Sequence, residues 1–169
     1  NPSYIIAYPE DEGLFNPQYP FGAKLNKKRF GAIPIGQSHS LNKINVVLQN
    51  LLNVPYKWGG KTSLGFDCSG LVQSVLNIYG IKIPRDSKSQ WRFLEPYKIN
   101  IDKAKKGDLH FFGKKGKVSH VGFACGGYDI IHSQGYVKKE SLDKNDPSFN
   151  KSLLDIYLAS ASIRLKFKL

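Results

Sequence analysis

The chain has 169 residues, a formal net charge of +12 and 41% hydrophobic residues, with an isoelectric point near 9.7. That length buries a substantial core in one domain with room for a small appendage, and no apolar run approaches the ~20 residues of a membrane span. Two cysteines argue against a disulfide scaffold. No Cys/His cluster has zinc-ligand spacing, so no metal and no other cofactor is expected, and no nucleic-acid motif accompanies the positive charge.

Residues 1–40 differ in texture from the rest. Pro2, Pro9, Pro17, Pro20 and Pro34 leave only short extended pieces at 4–8 and 31–35. The segment is too short for a comfortable core of its own. No signal peptide is visible, and a start at Asn1 instead of Met predicts a processed or excised chain. A helix is expected over 41–53, capped by Ser38 or Ser40, with Leu41, Ile44, Leu48, Leu51 and Leu52 on one face. Pro55 ends it, and a loop through Gly59-Gly60 leads to Gly65-Phe66-Asp67-Cys68-Ser69-Gly70. A second helix starts there, with Asp67 as N-cap and Leu71, Val72, Val75, Leu76 and Tyr79 as its apolar stripe. Gly80 and Pro84 close it. A short helix is expected over 87–92, then strands near 108–112, 118–125, 129–133 and 135–138 and a polar loop over 143–152. The last element is a half-buried strand over 157–167, from the alternation of Tyr157, Ala159, Ala161, Ile163, Leu165 and Phe167 with polar residues.

Chemistry concentrates at three positions. Cys68 opens a helix, where unpaired N–H groups stabilise an anion and lower a thiol pKa, and the small Ser69 and Gly70 leave room for a substrate backbone. His120 and His132 lie on successive strands. With an odd loop or a bulge between them, His132 stands opposite Gly122, one diagonal from His120, at the ~7–8 Å two imidazoles bridge. His120 is then the base or ion-pair partner of Cys68, and His132 holds the His120 ring in one tautomer. His110 reads as a half-buried histidine or an alternative orienting group. By strand parity Cys125 points toward the apolar face with Val121 and Phe123, as a core thiol.

Several ordered blocks carry a family resemblance: Val54-Pro55-Tyr56-Lys57-Trp58-Gly59-Gly60, Gly65-Phe66-Asp67-Cys68-Ser69-Gly70-Leu71-Val72, Gly80 to Gln90, Gly107-Asp108-Leu109-His110-Phe111-Phe112, His120-Val121-Gly122-Phe123 and Ile131-His132-Ser133. Together they cover roughly residues 41 to 140 and resemble the NlpC/p60 family of bacterial cell-wall cysteine peptidases. His110 departs from the pattern, where an aliphatic residue is more usual. The resemblance implies an α+β, papain-like fold, with the nucleophile helix packed on an antiparallel β-sheet, over 41–169. It leaves 1–40 as an N-terminal extension or the remnant of an SH3-like accessory module. It implies a Cys68-His120-His132 triad hydrolysing peptidoglycan stem peptides at the γ-D-glutamyl–diamino acid bond, with Tyr56, Asp67 and Ser69 lining the substrate site.

Physical roles accompany those positions. Asp67 pairs with a substrate ammonium, or is a plain helix cap. The Tyr56 hydroxyl donates to the oxyanion, or Tyr56 and Trp58 pack as a wall beside the site. Arg85, Ser87 and Gln90 line the cleft, with a structural role for Arg85 equally open. The same thiol site also suits an amidase or acyltransferase, or a non-catalytic wall-binding module. Peptidoglycan or muropeptides are the expected partner. The basic surface suits anionic wall polymers, or is simply a solvated lysine-rich face. The expected location is bacterial: secreted, periplasmic or wall-associated, with cytoplasmic recycling as the alternative.

Overall fold

The proline-broken N-terminus can sustain only short strands, and a computed structural model, which describes residues 1–10, 15–35 and 41–169, shows three of them. Strand β1 (Tyr4–Ile6) lies between β2 (Lys24–Leu25) and β3 (Ala32–Pro34), all antiparallel. Gly31 (φ +71°) lets β3 approach the preceding chain, because a Cβ there would fall 2.1 Å from the Tyr8 carbonyl oxygen. Ile5, Ala7 and Phe21 are buried in the same core as the rest of the chain. Phe21 meets Phe66 edge-on with ring centres 6.1 Å apart, and its N–H donates to Ser63 Oγ at 2.9 Å. The small sheet is therefore packed onto the segment that enters the Cys68 helix.

The main sheet is antiparallel, in the order β10-β9-β8-β7-β11-β6. Its strands are β6 (Lys98–Ile99), β7 (Leu109–Lys114), β8 (Lys117–Gly126), β9 (Asp129–Gln134), β10 (Tyr136–Ser141) and β11 (Tyr157–Ala161). Leu109, Phe111, Val121, Phe123, Ile131 and Val137 share the main core with α1 (Ile44–Asn50), α2 (Cys68–Ile78) and α3 (Ser87–Leu94). The α2 stripe Leu71, Val72, Val75 and Leu76 is fully buried there, each side chain contributing roughly 1.5–3 kcal/mol. Residues of opposite parity build a smaller core of Phe112, Ile130, Leu142 and Leu153, with Leu153 from α4 (Lys151–Leu154). The short hairpin β4 (Lys61–Thr62) and β5 (Gly65–Phe66) leads into α2.

Several local expectations change. The first helix starts as a 3₁₀ turn at Leu41–Lys43 and is α-helical only over Ile44–Asn50; the Ser38 or Ser40 cap lies outside the described residues. The polar loop over 143–152 ends in α4, capped by Asn150, whose side chain accepts from the Leu153 N–H at 2.9 Å. The alternating run 157–167 is not one strand. It stops at Ala161, and Ser162 caps a short helix α5 (Ile163–Phe167). The cause is the buried Asp108, 1% exposed, whose Oδ1 accepts from Ser162 Oγ at 3.1 Å and from the Ile163 N–H at 3.0 Å. Continuing the strand would take two donors from a buried carboxylate oxygen, which is costly, while Oδ2 keeps the Lys105 N–H at 2.9 Å.

Candidate active site

Asp67 caps α2 in extended conformation. Its carboxylate accepts from the Gly70 N–H at 2.6 Å, the Gly59 N–H at 2.9 Å and Arg85 Nη1 at 2.9 Å, with Arg85 Nη2 on its second oxygen. Burial raises the Asp67 pKa, but the Arg85 hydrogen bond and the backbone N–H groups outweigh it and hold the carboxyl below its ordinary value. Arg85 also donates to Ser69 Oγ at 3.0 Å. Asp67 is thus both a helix cap and the ion-pair partner of Arg85.

Two expectations about this turn are corrected. Gly70 does not make room for substrate: a Cβ there would lie 2.1 Å from the Gly60 carbonyl oxygen, so the glycine admits the Gly59-Gly60 loop. Gln90 does not line a cleft. It is fully buried and its amide donates to the Ser69 and Pro84 carbonyls at 3.0 Å each, tying α3 to the start of α2. Ser87, half-buried, opens α3.

Cys68 is half-buried in the first turn of α2. Burial raises the thiol pKa and Asp67 adds to the rise, while the backbone N–H groups of Val121, Ser69 and Cys68 itself pull the other way. The net direction is upward, so the expected depression of a helix-start thiol is reversed by desolvation. The Val121 amide belongs to the residue after His120, which seats the sulfur against that part of β8. Among the described residues no hydrogen bond joins the sulfur to the His120 ring.

The Pro55–Tyr56–Lys57 stretch is clamped on both sides. The Tyr56 N–H donates to the Gly135 carbonyl at 2.9 Å, and the Lys57 N–H to the Phe66 carbonyl at 3.0 Å. Tyr56 is 37% exposed. Burial and the nearby Cys68 and Asp67 raise its pKa, which keeps the phenol a donor. Trp58 is 87% exposed at the loop tip, which excludes it as a core-packing residue.

The histidine geometry follows from strand register. Phe123 pairs with Ile131 and Ala124 with Ile130, with a bulge before Gly126. His132 therefore falls opposite Gly122, on the diagonal from His120. A Cβ on Gly122 would lie 2.7 Å from His132 Cβ, so only glycine leaves that ring its place. His120 Nε2 and His132 Nδ1 are 2.7 Å apart. His132 Nε2 meets Glu140 Oε2 at 2.8 Å, because Lys138 pairs with His132 and Glu140 with Ile130 across β9 and β10. Three side chains thus run diagonally over three strands. Burial first, then His132, lowers the His120 pKa to about 3. The His132 hydrogen bond is the main cause that lowers Glu140 to about 2. Ser133, fully buried, donates to the Phe66 carbonyl at 2.8 Å and locks β9 to the residue before Asp67.

Sequence reading missed Glu140 and the Ser133 tie. Ending the last hairpin strand at Lys138 left Glu140 outside it, although its parity with His132 was available. His110 is not half-buried but fully enclosed, bonded to Ser160 Oγ at 2.8 Å and the Gly127 carbonyl at 2.9 Å, and stands apart from the His120–His132 pair. Cys125 is only partly buried, packed against the main core, and desolvation raises its pKa to about 12. A cavity of about 480 Å³ lined by Lys24, Lys61 and Lys82, among others, does not include the thiol or the histidines.

The comparisons agree with this architecture. A profile described as the NlpC/P60 family matches residues 53–156. A gamma-D-glutamyl-L-lysine dipeptidyl-peptidase of Bacillus subtilis (strain 168) is 33% identical over 140 residues, covering 78% of this chain and 46% of that protein. The chain thus spans less than half the length of that relative. An NlpC/P60 family protein from Bacillus cereus ATCC 10987 superposes with a TM-score of 0.73 over 95% of this chain and 63% of its own, at 22% identity. The NlpC/p60 domain of peptidoglycan hydrolase SagA superposes at 0.60, with 30% identity, over 74% of this chain and all of its own. With its α2 helix packed on the antiparallel sheet in a papain-like α+β arrangement, the chain belongs to the NlpC/P60 family.

Proposed function

We propose that the chain is a cysteine peptidase hydrolysing peptidoglycan stem peptides, at the γ-D-glutamyl–diamino acid bond, through Cys68, His120 and His132. The observation that carries this reading is the hydrogen-bonded His120–His132 pair, positioned next to the Val121 amide that faces the half-buried thiol. The name of the Bacillus subtilis relative supports the bond.

The raised thiol and lowered imidazole describe a resting pair in which both groups are neutral. Cys68 Sγ attacks the carbonyl carbon while its proton passes to His120, a contact that tightens when substrate closes the site. The developing oxyanion takes the Cys68 backbone N–H and the Tyr56 hydroxyl. The C–N bond breaks, and the leaving amine takes the proton from His120. Water then attacks the thioester, His120 accepts its proton, and acid and thiol are regenerated.

Asp67, Ser69 and Arg85 form one edge of this site, with Trp58 and Ser87 as further substrate contacts. Residues 1–40 act as an extension of the catalytic domain, and the +12 charge suits a wall rich in anionic polymers. The test is product mass from a panel of tri- and tetrapeptides and defined muropeptides. Release of L-Ala–γ-D-Glu by wild type and not by Cys68→Ser is the expected result. Cleavage of only a sugar–peptide amide, or an acylated acceptor, assigns the site to an amidase or acyltransferase instead. Unchanged turnover by Cys68→Ser removes the thiol from the chemistry.

A further inference from the structure

The His120–His132 pair does not end in solvent; it ends on a carboxylate. Glu140 Oε2 lies 2.8 Å from His132 Nε2 and accepts a second bond, from Asn150 Nδ2, at 2.9 Å. Its other oxygen lies 3.4 Å from Lys138 Nζ. His132 is fully buried between Glu140 and His120, so its two ring nitrogens have no water to turn to. An ionised carboxylate only accepts. Nε2 of His132 must then carry the proton, and in the neutral pair its Nδ1 holds a lone pair. That lone pair requires the proton of His120 to sit on Nε2. The remaining nitrogen of His120, Nδ1, is left bare.

We propose that Glu140 is a positioning residue that fixes the proton register of both histidines, leaving His120 Nδ1 as the base, and that supplies the counter-charge when His120 becomes an imidazolium. This rests on the thiol-peptidase reading above. When the thiol proton reaches His120 Nδ1, the ring carries N–H on both nitrogens. Its Nε2–H continues to donate to His132 Nδ1, His132 Nε2–H to Glu140, and no further proton moves. The partly buried positive charge is offset by the carboxylate through one ring. Among the described residues, the charged and titratable groups facing this chain are His120 on β8, His132 on β9, and Lys138 and Glu140 on β10, with the Cys68 thiol of α2 as the proton donor under the reading above; Asn150, just ahead of α4, adds a neutral donor. Lys138 opposes the imidazolium, and Glu140 favours it.

The experiment compares wild type, Glu140→Gln, Lys138→Gln and Cys68→Ser on the cleaved tripeptide across pH. Glu140→Gln is expected to lower kcat about 10- to 100-fold, part of the ~10²–10⁴ of a positioned acid–base group, with KM within about twofold. Its acid limb moves to lower pH, because the imidazolium loses its counter-charge. Lys138→Gln moves the limb the opposite way. In a His132→Ala background Glu140→Gln should add nothing, since its effect travels through that ring. Acid limbs that stay put in both variants overturn the proposal. If Glu140→Gln does not fold, Lys138→Gln and ¹⁵N imidazole shifts of the Cys68→Ala protein decide it. Nε2–H on both rings supports the assignment, and Nδ1–H on His120 overturns it. These readouts are separate from the parent reading, which fails if Cys68→Ser keeps its activity or if the product is not a stem-peptide fragment.

Discussion

Two histidine sites share one parity of the same sheet, one fully enclosed at His110 and one partly open at His120, and they are built to opposite ends. His110 is bonded at both nitrogens. Its Nε2 meets a carbonyl, which only accepts, so it donates there and Nδ1 accepts from Ser160 Oγ, which in turn accepts from the Tyr157 hydroxyl 2.7 Å away. That chain of donors is closed, neutral and complete. The His120–His132 chain is anchored on a carboxylate at one end and, among the described residues, has a ring nitrogen without a hydrogen bond at the other. Burial lowers both His110 (to about 4) and His120 (to about 3), so a depressed pKa does not separate them. What separates them is whether the hydrogen-bond chain stops or leaves an atom able to take a proton.

The largest expected effect is on turnover. His120→Ala or Cys68→Ser should reduce peptide hydrolysis by about 10³-fold or more, measured as initial rates on a stem tripeptide, whereas His110→Leu should leave the rate within about twofold. Equal losses in both would erase the contrast. Acid stability comes next. Both histidines have folded pKa values below their ordinary 6.5, so the folded state binds fewer protons than the unfolded one. Their stabilisation is full above about pH 6.5 and is lost as pH falls toward 4 and then 3. Glu140, near 2 against an ordinary 4.5, adds a further loss below about pH 4.5. Urea midpoints against pH should show this decline. His110→Leu should flatten it between 6.5 and 4 while costing about 2–3 kcal/mol at neutral pH from the polar partners it strands. A flat midpoint over that range contradicts the burial of both rings.

Gly122→Ala sharpens the comparison from the packing side. Its methyl would press on His132 and on Ile130 Cδ1, 2.6 Å away, at a cost of about 1–3 kcal/mol. Because His132 is displaced, hydrolysis should fall along with the melting temperature. Full activity with lowered stability would free the His132 ring from that constraint. The smallest effect is expected from Trp58→Ala. The ring is 87% exposed, so stability should change by no more than about 0.5 kcal/mol, and any kinetic consequence should show in KM alone.

What was legible in the sequence were features set by period and local chemistry. Asp67 as cap, the stripe on α2, and the diagonal of His120 and His132 all follow from spacing, since a strand's parity fixes which side chains share a face. What escaped was set by partners remote in sequence. Nothing near residue 162 announces that Asp108 will claim its hydroxyl and end the strand. Nothing near Arg85 says whether it faces a cleft or the carboxylate of Asp67. Gln90 reads as a cleft-lining residue until Ser69 and Pro84 present their carbonyls to it. The thiol pKa escaped because the helix-terminus rule holds for a solvated turn, and desolvation overrides it in a half-buried one.

The bond from Ser133 to the Phe66 carbonyl joins positions 67 apart in the chain. A ribosome delivers Cys68 long before it delivers Ser133 and Glu140, and closing so long a loop is entropically costly until the intervening strands pair. A nascent or truncated chain therefore carries the sulfur without the rings and carboxylate that would put it to use. Under the proposed chemistry, hydrolytic competence waits for the later strands of the sheet.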